Sequence, residues 1–225
     1  MPCADNGYVK HTQFFTNFGN SRLFYQTQRK PVHIQSRFDF FTSYLYAHNI
    51  SGGSSGIGKE VAKEALTLGA NVTILARNID KLEQVSDKLK NNFPNRKISY
   101  VSLDISKTSI EKIRDELKPV ISSLGPIKVL IHCAGYSYPS RAHQTPENEI
   151  RKMMDINYYG SIMLTQALLP DFITEKVGAI IFTSSLGGLI GVYGFAPYCA
   201  SKFAVRGYAE TLAMGKYFSN TFKNK

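Results

Sequence analysis

Cysteine is scarce in this 225-residue chain, and the three that occur, Cys3, Cys133 and Cys199, lie too far apart to match a zinc or redox spacing. A disulfide framework and a metal-ligating cluster are thereby excluded, and a reduced, cytosol-facing environment fits best. Long apolar runs are missing as well. The nearest, VGAIIFTSSLGGLIGVYGFAP over 177–197, is uncharged but broken by five glycines, two serines and a proline, so it reads as a buried strand and a loop rather than a membrane span. No signal peptide is expected, because the first 20 residues carry Asp5 and no continuous apolar core. Neither internal repeats nor a run of five like charges occurs. The formal net charge of +10 is therefore spread along the chain. It reads as a solvated surface, without the interleaved aromatic and basic residues of a nucleic-acid interface.

With 43% hydrophobic and 20% charged residues the composition is that of a globular protein with one core. Residues 1–42 show neither a helical nor a strand period and read as an irregular, poorly ordered segment. From about residue 43 the pattern alternates. A short strand ending AHNIS precedes a helix over 56–68 closed by Gly69. Strand NVTILA, helix NIDKLEQVSDKLKNNF, strand ISYVSLD, a helix over 107–124 and strand IKVLIHCAG follow. The series continues with helix ENEIRKMMDINYYGSIMLTQALLP, strand GAIIFTSS and helix PYCASKFAVRGYAETLAM. Alternation of this kind implies an α/β fold, a doubly wound parallel sheet with helices on both faces and ligands at the carboxyl ends of its strands. The first strand is the weak point, since His48 and Asn49 stand where a central parallel strand should be almost continuously apolar.

Two stretches carry chemistry. In SGGSSGIG, residues 51–58, glycines lie directly before a helical pattern, where backbone N–H groups and the positive end of a helix dipole can meet a pyrophosphate. In PYCASK, Tyr198 and Lys202 are four apart, so both side chains share one helix face and the ammonium can approach the phenol. A nearby cation favours the phenolate and brings it toward the range of acid–base catalysis. That pair alone carries little weight in a chain with many tyrosines and lysines. Its context adds to it: Ser185 closes the apolar strand AIIFTS upstream, and Asn157 follows the helical segment MMDI.

The glycine loop, HCAG, Asn157, Ser185, Tyr198 and Lys202 occur in an order and spacing that resemble the short-chain dehydrogenase/reductase family, over about residues 47–214. The resemblance implies a Rossmann-like fold and residue roles. Tyr198 would donate a proton to a carbonyl oxygen, Ser185 would hydrogen-bond that oxygen, and Lys202 would bind ribose hydroxyls and depress the tyrosine pKa. Asn157 would hold a water of the proton relay. Cofactor contacts would fall on Gly52, Ser54, Ser55, Gly56, Ile57, Arg77, Lys81, Asp104, Tyr198 and Lys202. Arg77 and Lys81 stand where an acidic residue would select NAD, so NADPH/NADP is the expected cofactor. Asp104 matches the family's adenine contact and reads equally as a helix N-cap. No metal is implied. The segments GGSSGIGK, LARNIDKL and GLIGVYGFAPYCASKFAVRGYAE are most similar to family members that reduce the 3-keto group of 3-ketodihydrosphingosine on the cytosolic face of the endoplasmic reticulum. A lipid ketone substrate and association with a membrane surface follow from that resemblance. Another NADP-dependent dehydrogenase, acting on hydroxysteroids or retinoids, and a catalytically impaired NADPH-binding chain stay open, as does homo-oligomer formation.

The chain departs from the family at His132, which replaces an asparagine that ties neighbouring strands, and at Ser51, where threonine is common. Relative to the family, residues 43–225 read as a C-terminally truncated Rossmann domain without the sixth and seventh strands, which would leave one sheet edge uncovered. Gly215 enters the last helix where a helix former is expected, at a cost of about 1 kcal/mol.

Overall fold

The computed structural model describes residues 13–18, 24–26, 47–175 and 178–221. Five parallel strands, joined by two antiparallel ones at one side, form a seven-stranded sheet ordered β2-β1-β7-β6-β3-β4-β5. In chain order these are β1 (Gln13–Phe18), β2 (Phe24–Gln26), β3 (Ala47–Ser51), β4 (Asn71–Ala76), β5 (Ile98–Ser102), β6 (Ile127–His132) and β7 (Gly178–Thr183). The helices are α1 (Gly56–Thr67), α2 (Ile79–Asn92), α3 (Ile110–Leu124), α4 (Glu147–Met154), α5 (Gly160–Glu175) and α6 (Ala196–Thr221), with a π-helical turn over Asp155–Tyr159 between α4 and α5. The doubly wound order expected from the sequence is present: β4 and β5 lie on one side of β3, and β6 and β7 on the other. A crevice therefore opens between the carboxyl ends of β3 and β6, where the winding reverses.

Each element forms where its side chains can be buried. Helix α1 turns Ala62, Ala65 and Leu66 inward, and Gly69 at φ +96 ends it, with the Ala70 N–H returning to the Ala65 carbonyl at 2.9 Å. Helix α2 is capped by Asn78, whose side chain accepts from the Lys81 N–H at 2.8 Å. One sheet face packs Ile50, Val72 and Ile74 against Leu82, Val85 and Leu89 of this helix pair. The other packs Leu75, Leu130 and Phe182 against Ile113, Leu117, Leu164 and Leu168 of α3 and α5. The last helix runs through Gly215 to Thr221, so the glycine lowers propensity without ending it.

Two outcomes differ from the sequence reading. Within the segment read as irregular, Gln13–Phe18 and Phe24–Gln26 are strands, and β1 pairs antiparallel with the whole of β7 from Gln13↔Thr183 to Phe18↔Gly178. The edge expected to be uncovered is thus occupied. An open edge offers unpaired N–H and C=O groups, and a stretch rich in phenylalanine and threonine can satisfy them even without an alternating pattern. The rest of residues 1–42 lies outside the described residues.

Strand β3, the doubtful one, is the central strand and is buried throughout. His48 and Asn49 are tolerated there, but both polar atoms of the Asn49 side chain lack a hydrogen-bond partner, as does Oγ1 of Thr73, its neighbour in register on β4. Each such orphan is a net loss relative to an apolar group of the same shape. Replacing Asn49 by its near-isostere, Asn49→Leu, is expected to raise the unfolding free energy by about 1–3 kcal/mol in urea denaturation. A drop in stability would show that the Asn49 amide is satisfied in solution.

Candidate active site

The glycine loop between β3 and α1 is set by close packing. Gly52 has φ +73, and a Cβ there would stand 2.7 Å from the Ala134 backbone nitrogen, so only glycine lets the loop after β3 touch the loop after β6. A Cβ on Gly58 would collide with the Gly52 carbonyl. Gly56, at φ +50, opens α1 and faces free space. Ser55 precedes the helix without capping it, and the first turn carries no acidic residue. The dipole and its exposed N–H groups thus remain available to an anion.

This loop borders a cleft of about 490 Å³ that is also lined by Ser54, Ile57, Arg77, Lys81, Asp104, Ala134, Tyr136, Tyr198 and Lys202. All the expected cofactor contacts therefore line one cavity. Among the described residues neither Arg77 nor Lys81 has a carboxylate ion-pair partner, which leaves two cations at the end of β4 facing the cleft. Asp104 is not a helix N-cap, since α3 starts only at Ile110 behind Ser109. Its Oδ1 instead accepts from the Ser106 N–H at 3.1 Å and the Ser106 hydroxyl at 2.6 Å, fixing the turn after β5.

Ser185, Tyr198 and Lys202 meet at the carboxyl end of β7. The Lys202 ammonium is buried and donates to the Thr183 carbonyl at 2.9 Å, which fastens the first turns of α6 to the strand end. One turn earlier, the Tyr198 phenol lies close enough to the Ser185 hydroxyl for that group to act on its proton. The Ser185 oxygen also accepts from the Gly187 N–H at 3.2 Å, which holds the hydroxyl in place.

The electrostatics differ from the sequence expectation. Burial pushes the Tyr198 phenol above its ordinary value, and the Ser185 hydroxyl pulls it back only in part. The ammonium lies 5.9 Å from the phenol ring centroid and is engaged with Thr183, so a depressed tyrosine does not result in the ligand-free chain. Burial also lowers Lys202 from 10.5 to about 8.

Asn157, in the π-helical turn, is buried and its side chain is fully committed. Its amide nitrogen donates to the Tyr136 carbonyl at 2.8 Å and to Ser201 Oγ at 2.9 Å, while Oδ1 accepts from the Tyr136 N–H at 2.7 Å. Ser201 in turn donates to the Tyr198 carbonyl at 2.7 Å. The side chain thus clamps the loop after β6 onto the start of α6, and both of its N–H donors are used. Tyr136, Ser201 and the Thr183 carbonyl were not singled out from the sequence. Ser201 sits inside PYCASK and Tyr136 directly follows HCAG, so position offered a signal for those two, whereas a backbone carbonyl carries none.

His132, the substitute for asparagine, is buried. Its Nε2 is 2.9 Å from Thr165 Oγ1 and its ring stacks on Phe182 at 4.7 Å, but Nδ1 has no partner. Its hydrogen bond ties β6 to α5, and only ring stacking links it to the neighbouring strand β7. Burial, aided by the Lys202 charge, drives its pKa down to about 3, so it is neutral near pH 7.

The family model described as short chain dehydrogenase matches residues 48–217. The chain belongs to the short-chain dehydrogenase family. It is 38% identical over 167 residues to the mouse 3-ketodihydrosphingosine reductase, covering 73% of this chain and 50% of that protein. It is 34% identical over 179 residues to the mouse dehydrogenase/reductase SDR family member 7, covering 78% and 52%. The chain spans about half the length of these curated relatives. Among solved structures, a short-chain dehydrogenase from Escherichia coli CFT073 matches with a TM-score of 0.71 at 29% identity, over 76% of this chain and 74% of that one. Another from that source, complexed with NADPH, matches at 0.70 and 29%, over 74% and 70%. Family and neighbour together support a nicotinamide dinucleotide in the cleft.

A depressed lysine has a measurable sign. Between about pH 8 and 10.5 the unfolded chain holds the Lys202 proton and the folded chain does not, so this group makes stability rise with pH in that window. The wild type is therefore expected to gain roughly 3 kcal/mol relative to Lys202→Met between those limits, as read from urea unfolding at both pH values. The raised Cys133 and Tyr198 titrate in both proteins and largely cancel in the difference. A flat difference would mean that the ammonium is solvated in the folded chain.

Proposed function

We propose that this chain reduces a ketone with NADPH, and that the substrate is a long-chain keto base such as 3-ketodihydrosphingosine. The observation that carries this reading is the meeting of Ser185, Tyr198 and Lys202 beside the glycine-loop cleft.

The cofactor fits the residues present. The uncapped start of α1 suits the pyrophosphate, and Arg77 and Lys81 suit a 2′-phosphate at the end of β4. Asp104 Oδ2, left out of the turn bonds, suits an adenine amino group. When bound, the cofactor supplies a hydride to the carbonyl carbon. The protein holds the carbonyl oxygen between the Ser185 and Tyr198 hydroxyls and delivers the phenol proton to it. A phenol kept protonated by burial is the form this direction needs. Lys202 is the only other proton donor we assign to the site, and with a pKa of about 8 it can return a proton to the phenolate near neutral pH. With the Asn157 side chain committed to Tyr136 and Ser201, a relay through this residue runs by its backbone carbonyl, which also accepts from Ser161 at 3.1 Å.

The sphingoid substrate is supported by the similarity to 3-ketodihydrosphingosine reductases in mouse, zebrafish and cattle. Association with the endoplasmic-reticulum surface rests on the same similarity. No helix among the described residues is long and apolar enough to cross a membrane.

Three measurements test the reading. NADPH at about 100 times its dissociation constant should stabilise the fold by about 2.7 kcal/mol. Arg77→Ala should weaken NADPH about tenfold or more, the loss of one charge-assisted hydrogen bond, while moving NADH little. Equal loss for both cofactors would reject phosphate selection by Arg77. Separately, Tyr198→Phe should lower turnover of the keto base on the order of 10²–10⁴-fold with NADPH affinity nearly unchanged. Retained turnover in that variant would remove Tyr198 as the proton donor.

A further inference from the structure

The segment after β6 meets α4 in a polar cluster that the proton transfer does not use. Asn157 clamps both backbone groups of Tyr136, and the Tyr136 phenol donates to Glu149 Oε2 at 2.7 Å. The Glu149 side chain is only 15% exposed, and its second oxygen, Oε1, receives a long contact of 3.4 Å from the exposed Asn148 amide. Lys152, one turn on, brings its ammonium to 4.0 Å from the Tyr136 ring centroid and 3.9 Å from Glu149 Oε2, too far for a hydrogen bond. A phenol, a long amide contact and a half-solvated cation are a thin set of partners for a carboxylate withdrawn from water.

We propose that Tyr136 and Glu149 form a subsite for a protonated amine carried next to the ketone carbonyl. The inference rests on the ketone-reductase reading and names the substituent that is recognised beside the carbonyl. The cluster stands at the Lys202 end of the cleft: Tyr136 lines the cavity, and a Cβ on its neighbour Gly135 would stand 3.9 Å from the Lys202 ammonium. A phenol that gives its proton to a carboxylate keeps its oxygen lone pairs for an incoming N–H donor, and the carboxylate behind it supplies the opposite charge. Lys152 shows that the ring and the carboxylate together attract an ammonium. A counter-charge is needed here, because the Lys202 ammonium makes this end of the cleft unfavourable to a second cation. Asp104, the only carboxylate among the described residues that line the cleft, belongs to the turn after β5.

The test compares 2-amino-3-octanol, octane-2,3-diol and 3-octanol on the full chain saturated with NADPH, where the alcohols bind without being oxidised. Dissociation constants are measured by calorimetry near neutral pH, with the amine protonated. The amino alcohol is expected to bind about tenfold or more tightly than either neutral alcohol, the worth of one hydrogen bond to a charged group. Tyr136→Phe and Glu149→Gln should each reduce that ratio to about threefold or less, whereas Lys152→Met, which removes a competing cation, should raise it about two- to threefold. Equal affinity for amino alcohol and diol in the wild type, a ratio that survives in both Tyr136→Phe and Glu149→Gln, or a ratio lowered by Lys152→Met overturns the proposal. Turnover of 2-amino-3-octanone and 3-octanone decides the other question. Amine preference without NADPH oxidation supports the subsite and rejects the reductase reading, while oxidation of both ketones without the preference rejects the subsite alone.

Discussion

The hydrogen bond from the buried Lys202 ammonium to the Thr183 carbonyl fixes the rest of the site. It ties the first turns of α6 to the end of β7, which puts Tyr198 one turn back, beside Ser185. It also carries a cost. The cation is almost fully withdrawn from water with a carbonyl as its acceptor and no carboxylate, and its lowered pKa measures that penalty. Burial keeps His132 neutral and the same charge adds to that, so the imidazole can remain in the core stacked on Phe182. A buried cation of this kind persists where a ligand gains from it.

The dinucleotide cleft depends on steric rather than electrostatic precision. Gly52 presses against the backbone of Ala134, and Gly58 against the Gly52 carbonyl, so the loops after β3 and β6 are in direct backbone contact. The Asn157 clamp on Tyr136 holds the second of these loops from the other side. Through Ser201 and the Tyr198 carbonyl this clamp reaches α6. The glycine-loop cleft and Tyr198 are therefore parts of one braced unit.

Much of this was legible in the sequence because it depends on periodicity and local order. The alternation of strands and helices gave the doubly wound sheet, and the glycine loop and PYCASK gave the two halves of the site. What stayed hidden depends on partners distant in sequence. Nothing local shows that residues 13–18 pair with β7, since strand pairing is set by an edge more than 150 positions away. The direction of the Tyr198 shift was misread for a related reason: spacing brings Lys202 near the phenol, but only the fold shows that Thr183 takes the ammonium's hydrogen bond and that burial dominates. The role of the Asn157 side chain was likewise set by Tyr136 and Ser201, neither of which its own neighbourhood reveals.

Local rules are broken at two kinds of place, and the distinction is informative. At the site, a buried lysine, a glycine with positive φ and an uncapped helix start each have a ligand that would repay them. In the centre of β3, Asn49 leaves both polar atoms unmatched beside an unmatched Thr73 hydroxyl, and neither residue lines the glycine-loop cleft. The two groups are neighbours in register, yet neither serves as the other's hydrogen-bond partner. Functional strain accompanies a cavity and a possible ligand; strain without either marks a position where the fold has simply been tolerated.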